Sequence, residues 1–369
     1  MNTSLFSDQK IDFTKEPMFF GTGKNLQRYD VMKYKFFDTM YEKQSGFFWR
    51  PQEINLTKDK ADYNKLSPSE KHIFHTNLKF QILLDSLQGR GPVATFAQLT
   101  TLPEAESCLT KLGDFEVLHS KSYSHIIRNI FNDPSEIFDS IMDDEFIMRR
   151  AKTMTDMYND LYYKTNEYIM LSLQGAPISD EFMYNLKKSV YLALINWNIL
   201  EGIRFYNSFA CSFAFAENQA MEGNAKEVKL IARDENIHLA ISQFIINTLR
   251  KNPDEGFQEV IADCEEEVYA MYKQASEEEQ EWADYLFKDG SIIGLNATLL
   301  KSYNKHLINK RLSAIGYKHI YEHSENPLSW MDNWLNSSNV EVAPQETELT
   351  SYVVGGLDAS TTDDDWNIF

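Results

Sequence analysis

Two Glu-x-x-His pairs constrain this chain more than any other feature of its sequence, because each interrupts an apolar helix face. The pairs are Glu116/His119 and Glu235/His238. Apolar residues recur at three- and four-residue spacing on both sides of each pair, which is the pattern of one face of an α-helix. A charged group on such a face is costly to bury unless it is paired or coordinates a metal. Both stripes therefore predict buried charged groups that are paired or bind a metal, in addition to apolar packing.

Lone carboxylates interrupt two further apolar stripes. Asp85 follows Phe74, Leu78 and Ile82 at helical spacing, and Glu201 lies in the middle of another such stripe. Together the four predicted helices supply four carboxylates and two imidazoles, which can surround a dinuclear metal centre. This is the ligand pattern of ferritin-like di-iron and di-manganese bundles, although Asp85 stands where that pattern has glutamate. Carboxylate and imidazole donors suit iron or manganese better than thiolate-seeking metals.

Each of these features has an alternative interpretation. A hydrogen bond between Glu and His within each helix would satisfy both groups without a metal, but it leaves Asp85 and Glu201 without a local partner. Tyr123 lies four residues after His119 on the same predicted face. It is either a core tyrosine bonded to a carboxylate or a residue that a neighbouring di-iron site oxidises by one electron.

The rest of the pattern predicts further helices and no strand-rich segment. Ser67-Pro68-Ser69-Glu70 combines an N-cap serine, a first-turn proline and a capping-box glutamate, and predicts a helix over 67–88. Other helices are predicted at about 30–45, 136–170, 259–288 and 297–315 by the same periodicity. The run Glu277-Glu278-Glu279 is interpreted as a solvated helix face. The expected fold class is all-α, a ferritin-like helical bundle with additional helices.

Residues 1–335 are expected to form this di-metal helical domain, and 336–369 a flexible C-terminal tail. The tail is polar and acidic but ends in the more apolar Trp366-Asn367-Ile368-Phe369. A tail of this kind is typical of a docking peptide that becomes ordered only on binding. A terminus without a role is the alternative.

Composition restricts the class of partner and the compartment. The formal net charge of −19 argues against a nucleic-acid partner, which needs a positive surface. Three widely spaced cysteines without a C-x-x-C pair indicate a reducing compartment, so a cytoplasmic location is expected. Neither a signal peptide nor an apolar run of about 18 residues is visible, so no membrane association is expected.

Ordered motifs along nearly the whole chain match one family. They include Glu16-Pro17-Met18-Phe19-Phe20-Gly21, Phe47-Phe48-Trp49-Arg50-Pro51, Asp85-Ser86-Leu87-Gln88-Gly89-Arg90, residues 116–125, Arg204-Phe205-Tyr206-Asn207-Ser208-Phe209-Ala210, Glu222-Gly223-Asn224-Ala225-Lys226, Ile231-Ala232-Arg233-Asp234-Glu235, Val342-Ala343-Pro344-Gln345-Glu346 and Ser351-Tyr352-Val353-Val354-Gly355. With these motifs the chain resembles the small, radical-generating subunit of class I ribonucleotide reductase, in its aerobic bacterial and phage form.

The resemblance implies a role for each matching residue. It implies that Asp85, Glu116 and His119 bind one iron ion. It implies that Glu201, Glu235 and His238 bind the other. Tyr123 is implied to be the stable radical. Trp49, Asp234 and His119 resemble the start of a long-range electron and proton path, Tyr352 its exit, and Glu346 a tail carboxylate linked to that transfer.

The chain also departs from many relatives close to the proposed ligands. It has Cys108 and Leu112 where bacterial members often have tryptophans, and Gly202 where alanine is common. Asp114 and Phe115 replace more usual neighbours of Glu116.

The predicted function follows from the resemblance: an oxidoreductase subunit with two iron ions per chain, manganese being the alternative metal. It is expected to form a homodimer that binds a homodimeric large subunit, which reduces ribonucleoside diphosphates to deoxyribonucleoside diphosphates for DNA synthesis. Two rival hypotheses are a di-iron oxidase or monooxygenase with its own substrate, and an iron-binding protein of ferritin type.

Overall fold

The computed structural model describes residues 6–322 and 325–336, and this part of the chain consists mainly of helices. It contains no β-strand, only two isolated bridges. The helices are α1 Lys35–Gly46, α2 Thr57–Lys65, α3 Pro68–Gln88, α4 Gly91–Ala94, α5 Phe96–Leu99, α6 Pro103–Ile130, α7 Pro134–Asp139, α8 Glu145–Leu173, α9 Asp180–Ile199, α10 Phe205–Glu217, α11 Glu222–Lys251, α12 Gln258–Asp263, α13 Glu265–Leu286, α14 Ala297–Ala314 and α15 Met331–Leu335. Between α9 and α10, Leu200–Arg204 forms a π-helical turn.

Local chemistry explains where the long helices begin. The predicted capping box at the start of α3 is present: the Glu70 amide donates to the Ser67 hydroxyl, and the Ser67 amide donates to the Glu70 carboxylate. At α11 no residue of the helix itself provides the cap. Buried Asp59 of α2 accepts hydrogen bonds from the amides of Gly223 and Asn224 instead, at 3.0 and 2.7 Å. Tertiary contacts therefore complete what the local sequence leaves unsatisfied.

The centre of the bundle consists of α3, α6, α11 and the continuous stretch from α9 through the π-helical turn to α10, and these elements carry the predicted ligands. Helix α3 packs against α6 and α10, and α11 packs against α9, α10 and α6. Helix α8 covers α9 on the outside, while α13 and α14 pack against each other and close another side. One continuous apolar core fills the space between these helices. None of the described helices is both long and apolar enough to cross a membrane.

The all-α prediction is confirmed, with differences at the boundaries. The helix predicted at 67–88 is present as α3. The segment 136–170 divides into α7 and α8 because Asp144 caps a new helix with its carboxylate. The segment 259–288 divides into α12 and α13 at Cys264. The predicted tail lies outside the described residues apart from Asn336.

The acidic run on α13 is not the solvated face that its composition indicated. Glu277 is exposed, but Glu279 is only 1% exposed. Its carboxylate binds the guanidinium groups of Arg150 and Arg204, which are also buried. Arg204 in addition binds Glu278 at 2.5 Å. A buried ion network thus joins α8 and α13 to the π-helical turn.

Candidate metal centre

The six predicted ligand side chains converge at the middle of the bundle, and all six are fully buried. They are Asp85, Glu116, His119, Glu201, Glu235 and His238. They form two groups, in each of which one ligand atom per residue lies within 4.8 Å of the others. One group comprises Asp85, Glu116, His119 and Glu235, and the other comprises Glu116, Glu201, Glu235 and His238. Glu116 and Glu235 are shared, which the sequence pattern did not indicate.

The helices position these side chains in three ways. Each Glu-x-x-His pair lies on one face of a long helix, α6 or α11, because residues three apart are neighbours on a helix surface. Asp85 lies one turn before the end of α3. Glu201 lies in the π-helical turn, a type of bulge that is frequent at functional sites.

One imidazole nitrogen of His119 faces three carboxylates. His119 Nδ1 is 3.1 Å from Glu235 Oε1, 3.4 Å from Asp85 Oδ1 and 3.6 Å from Glu116 Oε2. The other nitrogen, Nε2, lies 3.2 Å from Asp234 Oδ2. Since a histidine ligand normally donates its second N–H to a carboxylate or carbonyl, this arrangement leaves Nδ1 for a metal.

His238 is placed in a similar way in the second group. His238 Nδ1 is 2.9 Å from Glu116 Oε1 and 3.0 Å from Glu235 Oε2. Glu201 Oε1 is 4.0 Å away. Each imidazole therefore has one nitrogen among several carboxylate oxygens.

Burial and mutual repulsion shift the pKa values of the carboxyl groups. Burial raises the pKa of Asp85 well above its usual range, and the His119 contact offsets this only partly. Burial and then repulsion from Glu235 and Glu116 raise the pKa of Glu201 in the same direction. Both groups resist ionisation unless a cation compensates them.

The two histidines and Glu235 are instead favoured in their charged forms, because the pKa of each histidine is raised and that of Glu235 is lowered. Burial alone would lower the pKa of His119, but Glu235 and Asp234 raise it well above its usual range. His238 has a pKa raised to about 9, since Glu116 and Glu235 outweigh its burial. The pKa of Glu235 is depressed because the attraction of His119 and His238 outweighs its burial. Protons on the imidazoles thus compensate part of the carboxylate charge.

A pair of divalent cations fits this donor set. Four ionised carboxylates carry four negative charges, which two divalent ions neutralise while both imidazoles stay neutral ligands. Such ions also let Asp85 and Glu201 ionise in spite of their burial. Both oxygens of Asp85 and one oxygen of Glu201, Oε2, are fully buried and have no hydrogen-bond partner within 6–322 and 325–336. Orphaned buried oxygens of this kind are costly unless a ligand takes them up. Oxygen and nitrogen donors without thiolate are what iron and manganese accept.

A continuous hydrogen-bonded chain leads away from His119. Asp234 Oδ2 accepts from Trp49 Nε1 at 2.8 Å and contacts His119 Nε2. Arg233 Nε donates to the other oxygen of Asp234 at 3.2 Å. Trp49 is 2% exposed and Asp234 fully buried, so the chain is shielded from water. The structure therefore brings together the three residues that resemble the start of a transfer path.

Tyr123 is fully buried on the ligand face of α6. Burial, followed by the negative charges of Asp85, Glu235 and Glu116, raises the pKa of the phenol well above its usual range. Tyr123 is therefore a neutral phenol beside the carboxylate cluster. Tyr352 and Glu346, the predicted exit residues, lie outside the described residues.

Three residues that the sequence interpretation did not single out also reach the site. Trp197 Nε1 and Gln88 Nε2 both donate to Glu201 Oε1, at 3.1 and 2.6 Å. Tyr158 donates to the amide oxygen of Gln88 at 2.8 Å. The spacing of four residues between Trp197 and Glu201 was a visible signal, because such residues are neighbours on a helix. The Gln88 contact spans 113 residues and leaves no local signal.

Comparison with known proteins places the whole chain in one group. The family model described as "Ribonucleotide reductase, small chain" matches residues 27–327. The ribonucleoside-diphosphate reductase 1 subunit beta of Escherichia coli O157:H7 is 45% identical over 375 residues, and the alignment covers 100% of both chains. The corresponding beta subunit of Enterobacteria phage T4 is 40% identical, with 98% of this chain and 97% of that one covered.

Solved structures agree with the sequence comparison. The ribonucleotide reductase R2 subunit from Clostridium botulinum superposes with a TM-score of 0.75 at 29% identity, covering 91% of this chain and 98% of that one. The dimanganese(II)-NrdF of Streptococcus sanguinis shares the fold, with a TM-score of 0.67 at 20% identity and coverage of 84% and 98%. The predicted ferritin-like bundle is confirmed. Since relatives and the family model both span most of its length, the chain belongs to the ribonucleotide reductase small-chain family.

Proposed function

We propose that this chain is the radical-generating small subunit of an aerobic class I ribonucleoside-diphosphate reductase. One observation carries the proposal: a fully buried carboxylate and imidazole cluster has a neutral, fully buried tyrosine beside it. Alignment over the full length with named beta subunits supports the same function. The activity requires the large subunit, on which ribonucleoside diphosphates are reduced to deoxyribonucleoside diphosphates.

Two iron ions per chain are the proposed cofactor, with manganese as the alternative. Asp85 and His119 serve one ion, Glu201 and His238 the other, and the shared carboxylates of Glu116 and Glu235 lie within reach of both. This refines the separate sets of three that the family resemblance implied. Bound there, a reduced metal pair supplies, with dioxygen, the oxidising equivalent for Tyr123.

Tyr123 gives up an electron to the oxidised metal pair and its phenolic proton to the neighbouring Asp85 carboxylate in the same event. Its raised pKa keeps the phenol protonated at neutral pH, so loss of the electron alone would leave a buried cation. Dense apolar packing then protects the radical: Phe205, Phe209 and Ile231 are all fully buried in the surrounding core. Exclusion of water and reductants gives the radical its lifetime.

The path to the partner begins at His119, Asp234 and Trp49. Asp234 accepts from both ring N–H groups, so it holds the indole and the imidazole in a fixed arrangement. We propose that an electron moves from the large subunit through Trp49 to Tyr123. Asp234 stabilises the positive charge that develops on the indole during this transfer. Tyr352 and Glu346 in the C-terminal tail continue the path, and the tail, residues 336–369, docks on the large subunit.

The proposed assembly is a homodimer that binds the large subunit in the cytoplasm. Several large apolar side chains are exposed in the described structure, among them Val31, Phe48 and Val117 at 47, 50 and 48%. We propose that a second copy of the chain covers part of this apolar surface. The three free, buried cysteines suit a reducing compartment. Analytical ultracentrifugation of the full chain tests the dimer, and a purely monomeric protein at micromolar concentration contradicts it.

Low-temperature electron paramagnetic resonance tests the function. Apoprotein is loaded with iron(II), exposed to dioxygen and frozen. A tyrosyl signal is expected from the wild type and from Tyr191→Phe, a control in which another buried hydroxyl, bonded to Tyr317, is removed. The signal is expected to be absent in Tyr123→Phe, although this variant still binds iron.

The rival hypotheses predict different results in the same experiment. A monooxygenase would turn over a small substrate without a persistent radical, and a ferritin-type protein would take up many iron ions per chain. A wild-type protein that binds two iron ions but never yields a radical contradicts the proposal.

A further inference from the structure

Glu201 differs from the other five proposed ligands in how its carboxylate is held. It lies in the π-helical turn, where the backbone departs from the regular α-helical hydrogen-bond pattern. Two N–H donors from outside the ligand set reach one of its oxygens, Oε1, while no donor from the described part of the chain reaches Oε2. The two oxygens of this single carboxylate are therefore chemically distinct before any metal arrives.

The first donor is the indole of Trp197, one turn earlier on α9. Its Nε1 lies 3.1 Å from Glu201 Oε1. The ring is fully buried and stacks on Phe96, with 5.7 Å between the ring centroids and 24° between the planes. A ring packed in this way has little freedom to turn its N–H elsewhere.

The second donor is the amide of Gln88 at the end of α3. Its Nε2 lies 2.6 Å from Glu201 Oε1, and its amide oxygen accepts from the Tyr158 hydroxyl at 2.8 Å. Because the hydroxyl occupies the acceptor side of the amide, the NH₂ side is directed at Glu201. Tyr158 of α8, Gln88 of α3 and Glu201 of the π-helical turn thus form one buried chain.

We propose that Trp197 and Gln88 are positioning residues that make Glu201 a monodentate metal ligand through Oε2. A carboxylate oxygen has about two lone-pair sites, and two donors occupy both of them on Oε1. Oε2, which accepts no hydrogen bond from the described residues, remains available, and Glu201 belongs to the group formed with Glu116, Glu235 and His238. The second of the two proposed ions therefore depends on these donors, whereas the ion served by Asp85 and His119 does not.

Matched variants separate positioning from general packing. This inference rests on the proposed metal centre. Trp197→Phe removes the N–H and keeps an aromatic ring, and Gln88→Met removes the amide donor at similar volume. Trp282→Phe is the control: Trp282 is 1% exposed, and its Nε1 makes no hydrogen bond to any residue that the structure describes. Like Trp197→Phe, this control replaces a buried indole with a phenyl ring, but it removes no hydrogen bond to a proposed metal ligand.

Manganese(II) titration of the full-length apoprotein provides the first measurement, with free manganese(II) followed by electron paramagnetic resonance. The wild type and Trp282→Phe are expected to bind two ions. In Trp197→Phe and Gln88→Met one of the two sites is expected to weaken by about tenfold or more, the usual effect of losing a hydrogen bond to a metal ligand. The other site is expected to keep its affinity.

Infrared spectroscopy of the loaded proteins provides a readout that packing alone does not change. A monodentate carboxylate separates its antisymmetric and symmetric stretching bands more widely than a bidentate one. We expect this separation to narrow in Trp197→Phe and Gln88→Met but not in Trp282→Phe. Unchanged affinity and unchanged bands in both donor variants overturn the inference and leave the metal centre intact. A wild type that binds no pair of ions overturns the metal centre and this inference together.

Discussion

Removing Glu279 should destabilise the folded chain strongly, although it belongs to an acidic run that looks solvated in the sequence. Glu279 Oε1 binds Arg150 and Arg204, and its Oε2 accepts from Asn207 at 3.0 Å. The Arg150 guanidinium also packs against the rings of Phe80 and Trp282, with its central carbon 3.5 and 4.2 Å from the ring centroids. In Glu279→Ala both guanidinium groups keep their charge and lose their shared carboxylate.

The size of the effect follows from burial. Glu279 is 1% exposed, and the side chains of Arg150 and Arg204 are each 2% exposed. Breaking a buried ion pair by removing one partner costs about 3–5 kcal/mol, because an uncompensated charge remains in the core. This cost is the penalty for leaving a buried charge without its partner. It differs from the free energy that the intact ion pair contributes compared with apolar residues at the same positions. With a urea m-value of about 3 kcal/mol per molar, the unfolding midpoint should fall by about 1 M or more.

Urea unfolding followed by circular dichroism measures the change, and the same helix offers a matched control. Glu277 lies two residues earlier on α13 and is exposed. Glu277→Ala should shift stability by no more than about 0.5 kcal/mol, as is usual for a surface substitution. If Glu279→Ala unfolds at the same urea concentration as Glu277→Ala, the buried ion network of Glu279 does not stabilise the fold.

Two further predictions concern the partly buried His75 and the proposed transfer path through Trp49. Burial lowers the pKa of His75 from 6.5 to about 4, so as pH falls the unfolded chain takes up this proton first, and folding stability decreases across that window. The loss should be about 2 kcal/mol between about pH 7.5 and pH 5, as measured by urea unfolding, and His75→Gln should lack it. An equal pH dependence in both proteins would contradict this assignment. Trp49→Phe removes the 2.8 Å bond to Asp234, so the Tyr123 radical should still form while deoxyribonucleotide production with the large subunit falls to background. Normal turnover would exclude Trp49 from the path.

Several elements of the site could be predicted because they depend on local periodicity. The Glu-x-x-His pairs lie within single helices, where spacing alone places both side chains on one face. The capping box of α3 is also a local pattern, and it marks the start of that helix correctly. Assignment of Trp49 and Asp234 came from family resemblance, since their contact joins residues 185 positions apart and no periodicity reports it.

The interpretation of the acidic run failed for a physical reason. Three consecutive glutamates point in three different directions around a helix, so composition alone cannot describe a single face. Glu277 faces solvent, whereas Glu279 faces two arginines from distant parts of the chain. The π-helical turn was missed in the same way, because five residues within a continuous helical stretch carry no distinctive pattern.

Residue spacing of three and four was enough to predict the helices and the face on which each proposed ligand lies. The sharing of Glu116 and Glu235 between the two groups, and the identity of the Glu201 oxygen that accepts hydrogen bonds, became visible only in the packed fold. These features depend on donors that approach from other helices, at distances of a few ångströms. A hydrogen bond between α3 and the π-helical turn exists only once both are packed in the same core.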